Sequence, residues 1–336
     1  MELLVTGSAG FIGSNYVTRH LAKFNNHSIV SLDQLTYAGN LENLKVVMNN
    51  PRHHFVNGDI RDKPLVDNLV SKNPDVIINF AAESHVDRSI DYPEKFLSTN
   101  TIGAYTLLEA ARKYDIPQFV QISTDEVYGS LSTTDPAFTE NTTLSPSSPY
   151  SASKAAADLL AISYYKTYNT PVKVTRCSNN YGPNQFPEKI IPLFINNLLN
   201  NKPLPIYGTG ENVRDWIHVY DHCDAIDAVL LNGRSGQIYN IGGGTEKQNL
   251  EVADNLIKVM GSSPSLIKFI SDRPGHDLRY AMDCSKIYNE LKWTPKIKFE
   301  SGLIDTIEWY KNNVTWLKNI TNGSYRNYYD KMYGDR

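Results

Sequence analysis

The feature that most constrains this chain is the run Leu3-Leu4-Val5-Thr6 followed at once by Gly7-Ser8-Ala9-Gly10-Phe11-Ile12-Gly13. A β-rich run, glycines at three-residue spacing and then a helical pattern predict a strand, a tight turn and a helix in that order. Further short apolar runs at 28–32, 54–56, 76–80 and 119–122 alternate with helical spacing over 62–72 and 94–114. Strands separated by helix-length segments pair in parallel, so the first half predicts an α/β fold with a doubly wound parallel sheet of Rossmann type.

The same pattern sets an expected domain organisation. A strand at 172–176 follows a long helix that starts near Tyr150. Beyond about residue 180 prolines cluster at 183, 187, 192, 203 and 205, and the elements become shorter. Residues 1–180 are therefore expected to form a dinucleotide-binding Rossmann domain. Residues 181–336 are expected to form mainly a smaller α/β substrate-binding lobe, with a strand near 236–243 rejoining the first sheet. In open α/β sheets ligands lie at the carboxyl ends of the strands, where the second lobe would close a cleft. The tail over 316–336 either frays or folds back over that cleft.

Composition excludes several classes. With 36 acidic and 33 basic residues the formal net charge is −3, and no Lys/Arg block offers the basic face that a nucleic acid requires. Any bound phosphate must be held locally. No apolar run approaches the ~20 residues needed to span a bilayer, and Met1 leads into a strand without a signal-peptide charge pattern, so a cytoplasmic protein is expected. Cys177, Cys223 and Cys284 are widely spaced and read as reduced thiols. Sequons at Asn26, Asn141, Asn313, Asn319 and Asn322 read as chance in a chain with no sign of secretion.

Glycines at 7, 10 and 13 permit a tight turn, close backbone approach to a pyrophosphate and close helix packing, and the helix N-terminus supplies unpaired N–H groups. Asp33 ends the second strand 20 residues beyond Gly13, where a carboxylate accepts hydrogen bonds from ribose hydroxyls and repels a 2′-phosphate. The bound cofactor is thus NAD rather than NADP, unless the glycines mark only a turn and Asp33 a helix cap. Asp59, at the end of the third strand, either meets adenine or serves as a turn residue.

Tyr150 and Lys154 stand at i and i+4 on one helical face, and a cation beside a phenol favours the phenolate. The same spacing at Tyr288 and Lys292 reads as an exposed face. Tyr150, however, opens a small-residue helix and follows the strand that ends in Ser123-Thr124, which places the Thr124 hydroxyl beside the phenol. Directly after that strand come two adjacent acids, Asp125 and Glu126, either a solvated turn or a pair that meets one ligand from two sides. His218 and His222 have the spacing of a zinc pair but no evident third ligand, and no metal is expected.

These motifs together resemble the extended short-chain dehydrogenase/reductase superfamily. Ala81 to Ser89, Ser123 to Gly129, Arg176 to Pro183, Asn212 to Trp216 and Arg273 to Asp277 closely resemble the dTDP-glucose 4,6-dehydratase family over nearly the whole chain. Ser8, where the loop often has another glycine, is a modest departure. The resemblance implies oxidation of a hexose at C4, elimination of water across C5 and C6, and hydride return to C6, the entry step to dTDP-rhamnose and other deoxysugars. It implies Thr124, Tyr150 and Lys154 at the oxidation step, Glu126 as base and Asp125 as acid. The cofactor set it implies is Gly7, Gly10, Phe11, Ile12, Gly13, Asp33, Gln34, Leu35, Thr36, Asp59, Ile60, Ala81, Ala82, Thr99, Tyr150, Lys154 and Asn180. The substrate set is Ser84, Thr124, Asn179, Lys189, Ile190, Pro205, Tyr207, Arg214, Asn249, Arg273, His276 and Tyr333. A homodimer pairing the helices over 94–114 and 150–168 is implied as well. UDP-glucose 4,6-dehydration and nucleotide-sugar 4-epimerisation remain the alternatives, although an epimerase has no elimination for an acid pair to catalyse.

Overall fold

A computed structural model describes residues 1–321 and 323–333, so the sequon at Asn322 and residues 334–336 of the tail lie outside it. The strands are β1 Glu2–Thr6, β2 Ser28–Asp33, β3 His53–Asn57, β4 Val76–Asn79, β5 Phe119–Thr124 and β6 Val172–Cys177. They continue as β7 Asn179–Tyr181, β8 Leu204–Tyr207, β9 Val213–His218, β10 Ile238–Ile241, β11 Glu246–Gln248 and β12 Ile267–Ile270. Seven of them form one sheet in the order β10-β6-β5-β4-β1-β2-β3, every pairing parallel.

Side chains alternate across a strand, so β1 feeds two apolar layers. Leu3 and Val5 pack with the helices Phe11–Lys23 and Val219–Asn232, through Tyr16, Val17, Ile226 and Leu230. Leu4 faces the other way, toward Leu107, Leu108 and Tyr164 of the helices Ala104–Lys113 and Pro149–Tyr168. A strand buried on both faces explains the near-continuous apolar runs in the sequence.

The chain leaves this sheet after β6. β7 pairs with β9 and β9 with β11, β8 pairs with β12, and β10 returns beside β6 with Ile241 opposite Cys177. A separate core under these excursions joins Phe194 and Leu198 of helix Ile190–Leu199, Leu256 of helix Asn249–Met260 and Ile307 of helix Phe299–Asn312. The tail folds back as helix Ser324–Tyr333, burying Tyr325 and Met332.

Two elements that aim the site differ in regularity. Helix Pro149–Tyr168 starts at a capping box, with Ser148 and Ser151 satisfying each other's backbone N–H groups and proline in the first turn. The expected continuous helix over 94–114 is instead a turn at Pro93–Phe96, a wide π-helical stretch Leu97–Gly103 and only then regular helix. Tertiary bonds account for the widening: Asn100 accepts from the Glu83 N–H at 2.8 Å and donates to the Glu83 carbonyl at 3.0 Å and to Ser153 Oγ at 2.9 Å.

Arg176 of β6 donates through Nε to Asp158 Oδ2 at 2.9 Å, with side chains only 3% and 0% exposed. Removing one partner of such a pair leaves an uncompensated buried charge. Asp158→Ala is therefore expected to lower unfolding free energy by about 3–5 kcal/mol, measured by urea denaturation.

Candidate active site

A cleft of about 310 Å³ runs along the carboxyl ends of β1, β2, β4 and β5, and a second chamber of about 140 Å³ lies under the smaller lobe. Glu126, Asn179, Glu188, Lys189, Ile190 and Trp216 line both.

At the first end the glycine loop has no room for side chains. Gly7 has φ +65° and a Cβ there would sit 2.5 Å from the Ala81 nitrogen, while a Cβ on Gly13 would run into the Gly7 carbonyl. Gly10 precedes helix Phe11–Lys23 without a side-chain cap, leaving that terminus to an anionic ligand. Asp33 accepts from the Ala9 and Leu35 N–H groups, both at 2.8 Å, so it stabilises the turn as well as facing the cleft. Burial raises its pKa against those backbone bonds. Asp59 also lines the cleft and grips Arg61; burial raises its carboxyl, but the Arg61 bonds outweigh it and the net shift is downward.

Gly7, Gly10, Phe11, Ile12, Gly13, Gln34, Thr36, Ile60, Ala81, Ala82, Thr99, Tyr150, Lys154 and Asn180 all line this cleft. Leu35 does not: its backbone is left-handed, φ 54°, and its side chain packs into the apolar layer beside helix Phe11–Lys23. The cradle fits a dinucleotide, and Asn179 Oδ1, on a cleft-lining residue, is buried without a protein partner.

At the chemical end Thr124 closes β5 and caps the next turn. Its hydroxyl accepts from the Glu126 N–H at 3.2 Å and donates to Asp125 Oδ1 at 3.1 Å. The 3-10 turn Asp125–Tyr128 thus starts with both acids at the cleft, Asp125 buried and Glu126 partly open to it. The solvated-turn alternative does not hold. Burial, then Glu126 and Asp215, push Asp125 well above the usual carboxylate range. Burial also raises Glu126, but Lys189, Arg273 and Arg214 oppose it. The environment therefore separates the two acids.

The expected influence of Lys154 on Tyr150 is not what governs the phenol. Lys154 Nζ donates to the Ile122 carbonyl at 2.6 Å, and burial lowers its pKa. Burial, followed by Glu126, Cys177 and Asp125, raises Tyr150 well above its ordinary value, with only a Thr124 hydrogen bond among the leading influences working the other way. Burial beside two acids therefore favours the protonated phenol.

The predicted substrate residues all line the two chambers. Ser84 and Thr124 border the first, Asn179, Lys189 and Ile190 both, and Pro205, Tyr207, Arg214, Asn249, Arg273, His276 and Tyr333 the second. Arg273 donates to Asp87 Oδ1 at 2.8 Å and Tyr207 to Asp87 Oδ2 at 3.0 Å. Arg214 donates to the Asp277 carbonyl at 2.9 Å and lies over the Tyr280 ring. Burial, with Arg273 and Arg214 nearby, lowers His276 to about 4. Asp87, Glu188 and Tyr280 were not foreseen, although Asp87 lies within a recognised motif and Glu188 immediately precedes Lys189.

The two histidines at metal spacing have other tasks. His218 Nδ1 accepts from the Tyr220 N–H, capping a helix, and His222 donates through Nδ1 to Asn180 Oδ1 at 2.9 Å. Burial brings His222 to about 3, so it is neutral. Tyr288 is exposed, and Cys177, Cys223 and Cys284 are free thiols. Among the described residues no helix is long and apolar enough to cross a membrane.

A glycine cradle, a Tyr/Lys pair and an acid pair in one interlobe cleft define a short-chain dehydrogenase/reductase built for a nucleotide sugar. The family model described as GDP-mannose 4,6 dehydratase matches residues 4–306. The dTDP-glucose 4,6-dehydratase of Xanthomonas campestris pv. campestris is 49% identical, over 96% of this chain and 97% of that one. The crystal structure of the Bacillus anthracis dTDP-glucose 4,6-dehydratase in complex with NAD is 51% identical, TM-score 0.90, covering 95% of this chain and 99% of that one. The Streptomyces venezuelae enzyme of the same name, also solved with NAD, is 48% identical, TM-score 0.93, covering 95% and 100%. The chain belongs to the dTDP-glucose 4,6-dehydratase family.

A carboxyl with a raised folded pKa stabilises the fold when protonated and loses that contribution as pH rises through the folded value. Asp125 therefore costs stability at neutral pH. Asp125→Asn is expected to melt higher than wild type at pH 7–8, with the gap closing as pH falls toward about 4, where the unfolded carboxyl is itself protonated. Differential scanning fluorimetry across pH measures it.

Proposed function

We propose that this protein is an NAD-dependent hydro-lyase that converts dTDP-glucose to dTDP-4-dehydro-6-deoxyglucose and water, feeding deoxysugar synthesis. The observation that carries the reading is the turn after β5: two consecutive acids open on the cleft that holds Tyr150 and Lys154, and their surroundings push their proton affinities apart.

Gly7, Gly10, Phe11, Ile12 and Gly13 hold the dinucleotide diphosphate, Asp33, Gln34 and Thr36 the adenosine ribose, and Asp59 and Ile60 the adenine. Ala81, Ala82, Thr99, Tyr150, Lys154 and Asn180 line the nicotinamide half. When bound, NAD⁺ supplies hydride acceptance at C4 and hydride return at C6, and its positive charge favours the Tyr150 phenolate that the chain alone disfavours.

Tyr150 takes the O4 proton, with Thr124 sharing it and Lys154 supporting the charge. The ketone so formed acidifies the C5–H bond. Glu126, ionised beside Lys189, Arg214 and Arg273, removes the C5 proton. Asp125, the acid held protonated, delivers its proton to O6, which departs as water. Reduction at C6 is matched by return of a proton to C5. Lys189, Arg214 and Arg273 meet the substrate diphosphate, while Ser84, Asn179, Ile190, Pro205, Tyr207, Asn249, His276 and Tyr333 shape the rest of the site.

We also propose a cytoplasmic homodimer. Leu97, Ile102, Leu159 and Tyr168 are exposed apolar side chains on the two helical segments expected to pair.

dTDP-glucose deuterated at C4 tests the reaction: loss of water with deuterium at C6 supports it, while unchanged mass with inversion at C4 indicates epimerisation. UDP-glucose run in parallel measures base preference, since one methyl is worth only ~1–3 kcal/mol. Glu126→Gln is expected to leave C4 oxidation intact and slow 6-deoxy product about 10²–10⁴-fold. Tyr150→Phe is expected to suppress the transient absorbance of reduced cofactor; full-speed reduction in that variant would exclude Tyr150 as base.

A further inference from the structure

Lys189 enters the cleft from the segment Gln185-Phe186-Pro187-Glu188-Lys189, and Glu188 is gripped by side chains to which the chemistry above gives no task. The Glu188 side chain is only 2% exposed. Its Oε1 accepts from the Tyr37 hydroxyl at 2.9 Å and its Oε2 from Arg88 Nε at 3.2 Å. The Arg88 guanidinium lies 3.9 Å from the ring centroids of both Tyr37 and Tyr328.

These partners come from separate parts of the fold. Tyr37 belongs to the loop after β2, and Asp33 at the end of that strand borders the dinucleotide end together with Gln34 and Thr36 of the loop. Arg88 sits on helix Val86–Asp91 and Tyr328 on the C-terminal helix. Phe186 meets Tyr37 and Tyr325 edge-on, and the Tyr325 hydroxyl donates to the Pro187 carbonyl at 3.0 Å. One residue further, Lys189 Nζ donates to the Ser84 carbonyl at 2.8 Å.

A segment that needed only packing would be served by an apolar side chain, because a buried carboxylate is costly unless its oxygens are satisfied. Here each oxygen takes a donor from a different element, which fixes direction rather than filling space.

We propose that Glu188 is a positioning residue: through Tyr37 and Arg88 it ties the loop after β2 to the Lys189 arm and holds that lysine in line for the substrate diphosphate. The proposal rests on the nucleotide-sugar reading. Lys189 also leads the cations that draw Glu126 toward its ionised form, so the same brace reaches the elimination step.

The test uses the NAD-loaded protein and dTDP, with Glu188→Gln, the milder Tyr37→Phe, which keeps the ring over Arg88, and the double variant. Calorimetric Kd for dTDP and KM for dTDP-glucose are expected to rise about tenfold in Glu188→Gln and about threefold in Tyr37→Phe. The kcat at its optimum should change less than either. The double variant should match Glu188→Gln alone, because Tyr37 acts through that carboxylate. Unchanged dTDP affinity in both single variants, or a double variant that loses the product of the two factors, would overturn the proposal, whatever the melting temperatures. Wild-type turnover of dTDP-glucose tests the functional reading, whereas the variant-to-wild-type ratio in dTDP affinity tests the brace, so the two fail separately.

Discussion

Burying two neighbouring carboxylates at the end of β5 is the constraint around which the site is arranged. Like charges on adjacent residues repel, and removal from water raises both, so one proton is retained where the surroundings least support charge. Asp125 is that position: it is buried, faces Asp215 as well as Glu126, and has the Thr124 hydroxyl as its hydrogen-bond partner. Glu126 is raised by burial too, but Lys189, Arg273 and Arg214 oppose that rise. These three cations also line the second chamber.

The parallel sheet is what allows this. β5 is flanked by β4 and β6, so its carboxyl end opens where residues from both lobes converge. Helix Pro149–Tyr168 can approach that end because its buried face carries Ser151, Ser153, Ala155 and Ala157. Asn100 fastens the π-helical stretch to Ser153 and to the Glu83 backbone, bringing Thr99 to the same cleft. The resulting site combines a phenol that burial keeps protonated with a lysine that burial weakens. A bound positive charge is what such a pair needs before it can act on a hydroxyl.

Much of this was legible in the sequence because it is local. A strand, glycines at 7, 10 and 13 and a helix can adopt few arrangements, and the short apolar runs between helical segments place β1 to β6 within a residue or two. Other features depend on distant partners. Nothing between Pro93 and Lys113 signals the wide turn, which follows from bonds between Asn100 and residues 83 and 153. Leu35 belongs to the cofactor set that the resemblance implies, but its left-handed backbone goes with a side chain packed in the apolar layer. His218 and His222 share the spacing of a zinc pair, for which no metal was expected, and their tasks depend on distant partners: one caps a helix and the other holds Asn180.

The sequence by itself determined the sheet, the glycine cradle, the Tyr150/Lys154 pair and the adjacency of Asp125 and Glu126, since each is set by spacing along one strand, turn or helix. Tertiary structure alone decided how the acids differ. Proton affinity depends on burial and on charges within a few ångströms, and those charges lie on residues 189, 214, 215 and 273, far away in the chain. For the same reason the direction of the Tyr150 pKa could not be read from Lys154 four residues on: the lysine is turned to the Ile122 carbonyl, and burial beside the acids outweighs helical proximity.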